Sequence, residues 1–296
     1  MASVALSGLL SFLHIVGPAA EVSERECPAA VVTIEDAYTV PAWGILMKLL
    51  RDAVRSGAAA MHRPDGGAPT FQRIVVICAN HCREDCVASL ERANIPLPGE
   101  GRSGRSDEMT LHFIDIGSRV FGGVGNGEWL SAENIAAYST RADVSASGAK
   151  NAYAEQLMGS LRAVTDDCNG GRTLYLVDSA NAISLGVNSH AHFLEFLDQL
   201  TGRKCARDDG VVIVAHKDVH RDVGLIRYIE DVSDIIVDVS PLSSGPAEQA
   251  DGTLGVTCRT TRVGSILRRD EMVQSTLAEK MLFKQREAGA LDVFRL

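Results

Sequence analysis

The chain has 296 residues, with 29 Lys+Arg against 38 Asp+Glu, and is 46% hydrophobic and 23% charged. This balance excludes disordered, fibrous and membrane-embedded classes. The formal net charge of −9 repels polyanions over the surface as a whole, so any nucleic-acid contact must be local or shared with a partner.

The first twenty residues hold an apolar run ending in Gly17-Pro18-Ala19-Ala20. No Lys or Arg precedes it, and Ser11 and His14 interrupt it, which argues against a secretory signal. From residue 29 onward, short β-branched runs alternate with helical patterns, the signature of an α/β domain with a mainly parallel sheet. The pattern predicts strands over 29–34, 73–79, 111–116, 173–177, 211–215 and 234–239. Helices are predicted over 43–54, 84–93, 151–164, 190–200 and 223–232. The Gly-rich stretch 117–148 reads as an irregular excursion at the sheet rim, and 252–257, 280–286 and 291–294 read as antiparallel strands. One continuous domain over residues 1–296 is the expected plan.

The seven cysteines, Cys27, Cys78, Cys82, Cys86, Cys168, Cys205 and Cys258, are odd in number, dispersed and set among apolar residues. They read as reduced thiols in an intracellular protein. His81, Cys82 and Cys86 with Cys78 raise a zinc reading. It is set aside because Cys78 belongs to a strand that should be buried and no second Cys/His pair is near.

Leu176-Val177-Asp178 is an apolar strand ending in a carboxylate, as nucleoside-triphosphatases present one to Mg²⁺. The partner motif, G-x-x-x-x-G-K-[ST] after the first strand, is missing. That connection reads Glu35-Asp36-Ala37-Tyr38-Thr39-Val40-Pro41-Ala42, with no Gly, no Lys and two carboxylates where phosphates would sit. The Gly122 to Gly127 run fails the dinucleotide spacing. Ser179, Ser184 and Ser189 lack the elbow that exposes a nucleophile.

His216-Lys217-Asp218 follows a buried strand, at the end where α/β proteins place ligands. Without a phosphate loop, Asp178, His216 and Lys217 are candidates for a subunit interface. No catalytic residue, cofactor or metal is expected. One cationic stretch, Arg259, Arg262, Arg268 and Arg269, is the candidate contact for phosphate groups on this acidic protein.

These residues also carry a family likeness. The run LYLVDSANAISLGVNSHAHFLEFLDQL from Leu174, then Val211 to His216, then Ile235 to Val256, resembles subunit 6 of the Elongator complex. The shared succession is a strand ending in Asp, an "SLG" helix start and a buried strand with a polar end. A Pro241-Leu242-Ser243-Ser244-Gly245 turn then precedes Asp251-Gly252-Thr253-Leu254. Subunits 4 and 5 share the fold, and subunit 5 is the nearest confusion. The resemblance implies a RecA-like P-loop-NTPase fold without its phosphate loop. It also implies a hetero-hexameric ring with subunits 4 and 5, tRNA binding in support of wobble-uridine modification, and a cytoplasmic or nuclear location. The competing expectation is a RecA-like NTPase with an atypical phosphate site built on Asp178 and His216.

Overall fold

The computed structural model describes residues 30–37, 39–61, 71–95, 97, 109–116, 154–164, 172–187, 190–201, 209–219, 223–243, 245, 247, 249–258, 279–285 and 291–295. In chain order the elements are β1 (Ala30–Asp36), α1 (Trp43–Met61), β2 (Arg73–Cys78), α2 (Arg83–Arg92), β3 (Thr110–Asp115), α3 (154–164), β4 (Thr173–Val177), α4 (Ala180–Val187) and α5 (His190–Thr201). They continue as β5 (Gly210–His216), α6 (Val223–Val232), β6 (Ile235–Pro241), β7 (Gly252–Cys258), β8 (Glu279–Gln285) and β9 (Leu291–Arg295). All these strands join one nine-stranded sheet, ordered β3-β2-β4-β5-β1-β6-β7-β8-β9. Pairing is parallel from β3 to β6 and antiparallel from β6 to β9. Among the described residues no helix is long and apolar enough to cross a membrane.

The parallel strands are apolar on both faces because helices cover both. Val32, Ile34, Val76, Leu176 and Val212 pack against Ile45, Leu46, Leu49 and Leu50 of α1 and Cys86 and Leu90 of α2. Their alternates Val31, Val75, Tyr175 and Ile213 pack against Leu157 and Leu161 of α3, Phe193 and Phe196 of α5 and Ile229 of α6. The period-two alternation of strand side chains thus feeds two cores. Beyond β6, Leu254, Met281, Phe283 and Val293 join the first core, and among the described residues no apolar side chain of β7 to β9 joins the second. Thr253, Thr257 and Leu282 are half-buried and Phe294 is exposed.

Two glycines secure the turn into the antiparallel part. Gly245 has φ +83°, a left-handed conformation that glycine adopts without a Cβ clash, and its N–H donates to Leu242 O at 3.0 Å. At Gly252 a Cβ would lie 2.6 Å from Ser240 O and 2.7 Å from the Phe283 ring, so β7 can approach β6 and β8 only with no side chain there.

Three sequence-based boundaries are corrected. β1 runs on through Glu35 and Asp36, which the sequence reading assigned to the connection. α1 passes through Ser56 and Gly57 to Met61, because Ala58, Ala59 and Ala60 are strong helix formers that offset the roughly 1 kcal/mol cost of an interior glycine. The Ser184-Leu185-Gly186 run, expected as a helix start, instead lies in the last turn of the eight-residue α4. The excursion at 117–148 lies outside the described residues.

The extension of β1 turns Glu35 toward the α6 side, opposite Asp238 in the β1–β6 register. Glu35 is 8% exposed, and its Oε1 has no hydrogen-bond partner. Burial first, then the charge and hydrogen bond of Glu230 and the charge of Asp238, push its carboxyl up to about 7, with Lys217 opposing. Between about pH 4.5 and 7 the folded chain keeps a proton that the unfolded chain has released, so this group's contribution to stability falls as pH rises. Glu35→Gln should match the parent near pH 4.5. It should be more stable by on the order of 3 kcal/mol at pH 8, as read by urea unfolding at both pH values. A pH-independent difference would exclude a buried protonated Glu35.

Candidate functional site

In an open α/β sheet, ligands bind outside the carboxyl ends of the parallel strands. Here that edge is formed by Asp36 at the end of β1, the loop after Cys78 of β2, Asp178 after β4, and His216 and Lys217 at the end of β5. The strand order places β5 between β4 and β1, so His216 lies between the two carboxylates' strands.

Asp36 is fully buried. Its Oδ1 pairs with Nδ1 of His216, and its Oδ2 accepts the N–H of Ala42 at 2.5 Å, immediately before α1. The carboxylate therefore sits at the positive N-terminal end of α1, where a phosphate-binding helix would hold its anion. Its carbonyl accepts the N–H of Lys217 at 2.8 Å. The connection to α1 is drawn tight, with Val40 N–H donating to Ala37 O at 2.8 Å.

Asp178 is equally committed. Its Oδ1 accepts from Ala79 N–H at 2.7 Å, and its Oδ2 accepts from Asn80 N–H at 3.0 Å and His81 N–H at 2.8 Å. The turn after β2 wraps its backbone donors around this carboxylate, whose side chain is 0% exposed. His81 also brings Nδ1 to 3.4 Å from Asp178 Oδ2, and its ring stacks on Trp43 of α1 at 3.7 Å between centroids. From α4, Asn181 accepts the His216 N–H at 2.7 Å and donates to the His216 carbonyl at 3.3 Å. Its amide continues the edge of β5 as a strand would.

The result is a polar clamp running from the β2 turn through Asp178, Asn181 and His216 to Asp36 and α1. Burial, the largest single effect, lowers the His216 pKa. The Asp36 hydrogen bond and charge, with the charges of Asp218 and Asp178, together leave it raised. Lys217 leaves the clamp, pairing with Asp238 and reaching Ser240 Oγ at 2.9 Å, with its side chain 30% exposed.

Of the sequence-predicted interface residues, Asp178 holds the turn after β2, His216 is held by Asn181 and Asp36, and Lys217 points to the β6 side. Of the two carboxylates expected at the phosphate position, only Asp36 is there; Glu35 faces the opposite layer. Arg259, Arg262, Arg268 and Arg269 lie outside the described residues. Trp43, His81 and Asn181 were not singled out as one constellation, and Asn181 could have been suspected only as a polar residue just after a strand-ending Asp.

Three thiols near the edge, Cys78, Cys82 and Cys86, are free. Cys78 and Cys86 bring their sulfurs to 3.8 Å in the core, and the Cys78 thiol is pushed far up, first by its hydrogen bond with Cys86 and then by burial. Cys82 sits at the start of α2 and is pushed up to about 11, first by burial. Among the described residues no group of three His, Cys, Asp or Glu side chains is placed to hold an ion.

The strand order, with β5 between the β1 and β4 strands and helices on both faces, defines a RecA-like α/β fold with antiparallel C-terminal strands. No protein-family model matches the chain, and no curated protein matches it. Among solved structures it is similar to a KaiC-like protein, PH0186, from Pyrococcus horikoshii OT3. That likeness has 12% identity over 90% of this chain and 89% of that one, with a TM-score of 0.40. It is also similar to the flagellar accessory protein FlaH of Methanocaldococcus jannaschii, at 9% identity over 93% and 98% of the two chains and a TM-score of 0.45. The strand order and register, not these distant likenesses, carry the fold.

Two outcomes follow from the clamp. Asp178→Ala orphans the N–H groups of Ala79, Asn80 and His81. It should lower the unfolding free energy by about 3 kcal/mol in denaturant titrations; a loss below about 0.5 kcal/mol would mean that water replaces the carboxylate. The stability that His216 contributes is complete below about pH 6.5 and is lost as pH rises through its higher folded-state value. An NMR titration of the His216 ring should therefore show a midpoint above the ordinary value, and a midpoint below it would reverse the assignment.

Proposed function

We propose that the chain is a non-catalytic, RecA-like structural subunit of the Elongator complex, corresponding to subunit 6. It assembles with subunits 4 and 5 into a hetero-hexameric ring that binds tRNA and supports wobble-uridine modification. The observation that carries the non-catalytic part is the commitment of both strand-end carboxylates. Asp36 and Asp178 are each hydrogen-bonded within the protein, and the Asp36 charge stands at the helix N-terminus that a nucleotide phosphate would need. Two unit charges 4 Å apart in such a site repel by on the order of 4 kcal/mol. The Elongator part is supported by the likeness over Leu174 to Val256, whose Gly245 and Gly252 hold positions that demand glycine.

In this reading the polar edge serves contact between subunits, with Lys217 beside Asp238 as its exposed charged element. Repetition round a ring converts weak individual phosphate contacts into useful affinity through effective concentration. Arg259, Arg262, Arg268 and Arg269 are retained as candidate tRNA contacts.

The test is affinity purification of the tagged chain from its own cells at near-physiological salt, with mass spectrometry of what is retained. Two further RecA-like chains in amounts equal to the bait are expected, together with loss of wobble-uridine modification in a knockout. Recovery of the bait alone, with saturable ATP binding abolished by a substitution at Asp178 that leaves the chain folded, would replace this reading with that of an atypical NTPase.

A further inference from the structure

The clamp leaves one nucleophilic pair unused. Cys78 and Cys86 are free thiols, both 0% exposed within the first core, with their sulfurs 3.8 Å apart. Cys78 is the last residue of β2 and is held firmly in the sheet. It pairs with Asp115 of β3, and its carbonyl accepts the Ile116 N–H at 2.9 Å. Cys86 is the fourth residue of α2, and Glu84 and Asp85 just before it are exposed. Between the two cysteines runs the turn whose N–H groups at Ala79, Asn80 and His81 hold Asp178.

This placement suits a disulfide. Bonded sulfurs stand about 2.0 Å apart, so closure from 3.8 Å takes roughly 1.8 Å, shared between two side chains that turn about χ1. The pair also has a direction. The Cys78 thiol is pushed far up, first by its hydrogen bond with Cys86, then by burial, then by the charges of Cys86, Asp178 and Asp115. It keeps its proton, and the thiolate that reacts has to come from Cys86. In the closed protein neither sulfur meets solvent; the pair becomes reactive only when the start of α2 opens.

We propose that Cys78 and Cys86 form a reversible disulfide that locks the turn around Asp178, with hydrogen peroxide as the oxidant. Opening of the first turn of α2 bares Cys86 while Cys78 stays in the sheet. The Cys86 thiolate attacks one peroxide oxygen. An S–O bond forms, the O–O bond breaks, and the hydroxide released takes up the thiol's proton as water. On reclosing, the Cys78 sulfur attacks the sulfur of the Cys86 sulfenic acid. The S–S bond forms as the S–O bond breaks, and the departing hydroxide takes the Cys78 proton as a second water. The two thiols lose two electrons and one peroxide gains them, and a dithiol reductant reverses the change. A pair that is inert in the closed protein thus records an opening of the sheet edge and then holds that edge shut.

The test uses the full chain carrying Cys82→Ser, which removes the neighbouring half-buried thiol and keeps a good N-cap residue before α2. After hydrogen peroxide and alkylation of the remaining thiols, trypsin separates residues 74–83 from 84–92. In this variant each of these peptides holds one cysteine, Cys78 or Cys86. They should be recovered joined, lighter by a pair of hydrogen atoms than their sum, and should separate in dithiothreitol. Amide hydrogen exchange at Ala79, Asn80 and His81 should slow about tenfold in the oxidised chain and recover on reduction. Cys78 and Cys86 that are still alkylated after exhaustive oxidation, or Cys86 carried on to sulfinic acid, overturn the lock. So does a joined pair whose exchange rates are unchanged. The parent chain, treated alike, controls for the substitution; a link there that runs only through Cys82 overturns the lock as well.

Discussion

The carboxylate of Asp36 has two oxygens, and the carboxyl edge of the sheet is arranged around what each of them holds. One takes the Ala42 N–H ahead of α1; the other takes the His216 ring at the end of β5. Through these two bonds the end of β1 fixes both the helix that covers one face of the sheet and the strand that separates β1 from β4. A buried carboxylate is tolerable only where hydrogen bonds and opposite charge replace its water. Here they are supplied by the helix N-terminus and the imidazole. The His216 backbone in turn donates its N–H to the Asn181 amide oxygen and accepts from the amide nitrogen, so the constraint reaches α4 and, through the strand end that precedes α4, Asp178.

This arrangement engages the groups that such an edge ordinarily offers to a ligand. The first anion-binding feature of such a fold is the helix N-terminus after β1, and a resident carboxylate has occupied it. The second is a strand-end acid with a free oxygen for Mg²⁺, and Asp178 spends its oxygens on the turn from Ala79 to His81. The stacked rings of Trp43 and His81 lie between these two acids' supporting elements and tie α1 to the β2 turn. Donors and acceptors that would orient a ligand instead hold the ends of four neighbouring strands in register. That is the chemistry of an edge built to be rigid, a property a subunit interface requires as much as an active site does.

Much of the architecture was legible because it depends on patterns of short range. The apolar runs TLYLV and VVIVA are strands whichever way they are read, and the helical stripe of Phe193, Phe196, Leu197 and Leu200 admits one burial face. The turn at Gly245 and the close approach at Gly252 were visible as a motif before their reasons were. The clamp was less legible, since it depends on strand order: nothing local to Asn181 or His216 says that β5 lies between β4 and β1. The parity of Glu35 and Asp36 was hidden for a related reason. Both look like loop residues until β1 is known to continue, and only then do they separate to opposite faces, one to the clamp and one to the carboxyl pair under α6.

Helix α1 reaches from the clamp to basic residues further along its axis. Its N-terminus abuts the Asp36 carboxylate, while Arg51 and Arg55 follow some 12 and 18 Å further along the axis at 1.5 Å per residue from Trp43. At physiological salt the screening length is about 8 Å. The field of the strand-end acids is therefore strongly attenuated at Arg55, whereas Asp52 acts on Arg51 at close range. A chain with net charge −9 cannot gather a polyanion by its overall field, so the proposed tRNA contact requires cations brought together locally or supplied by a partner.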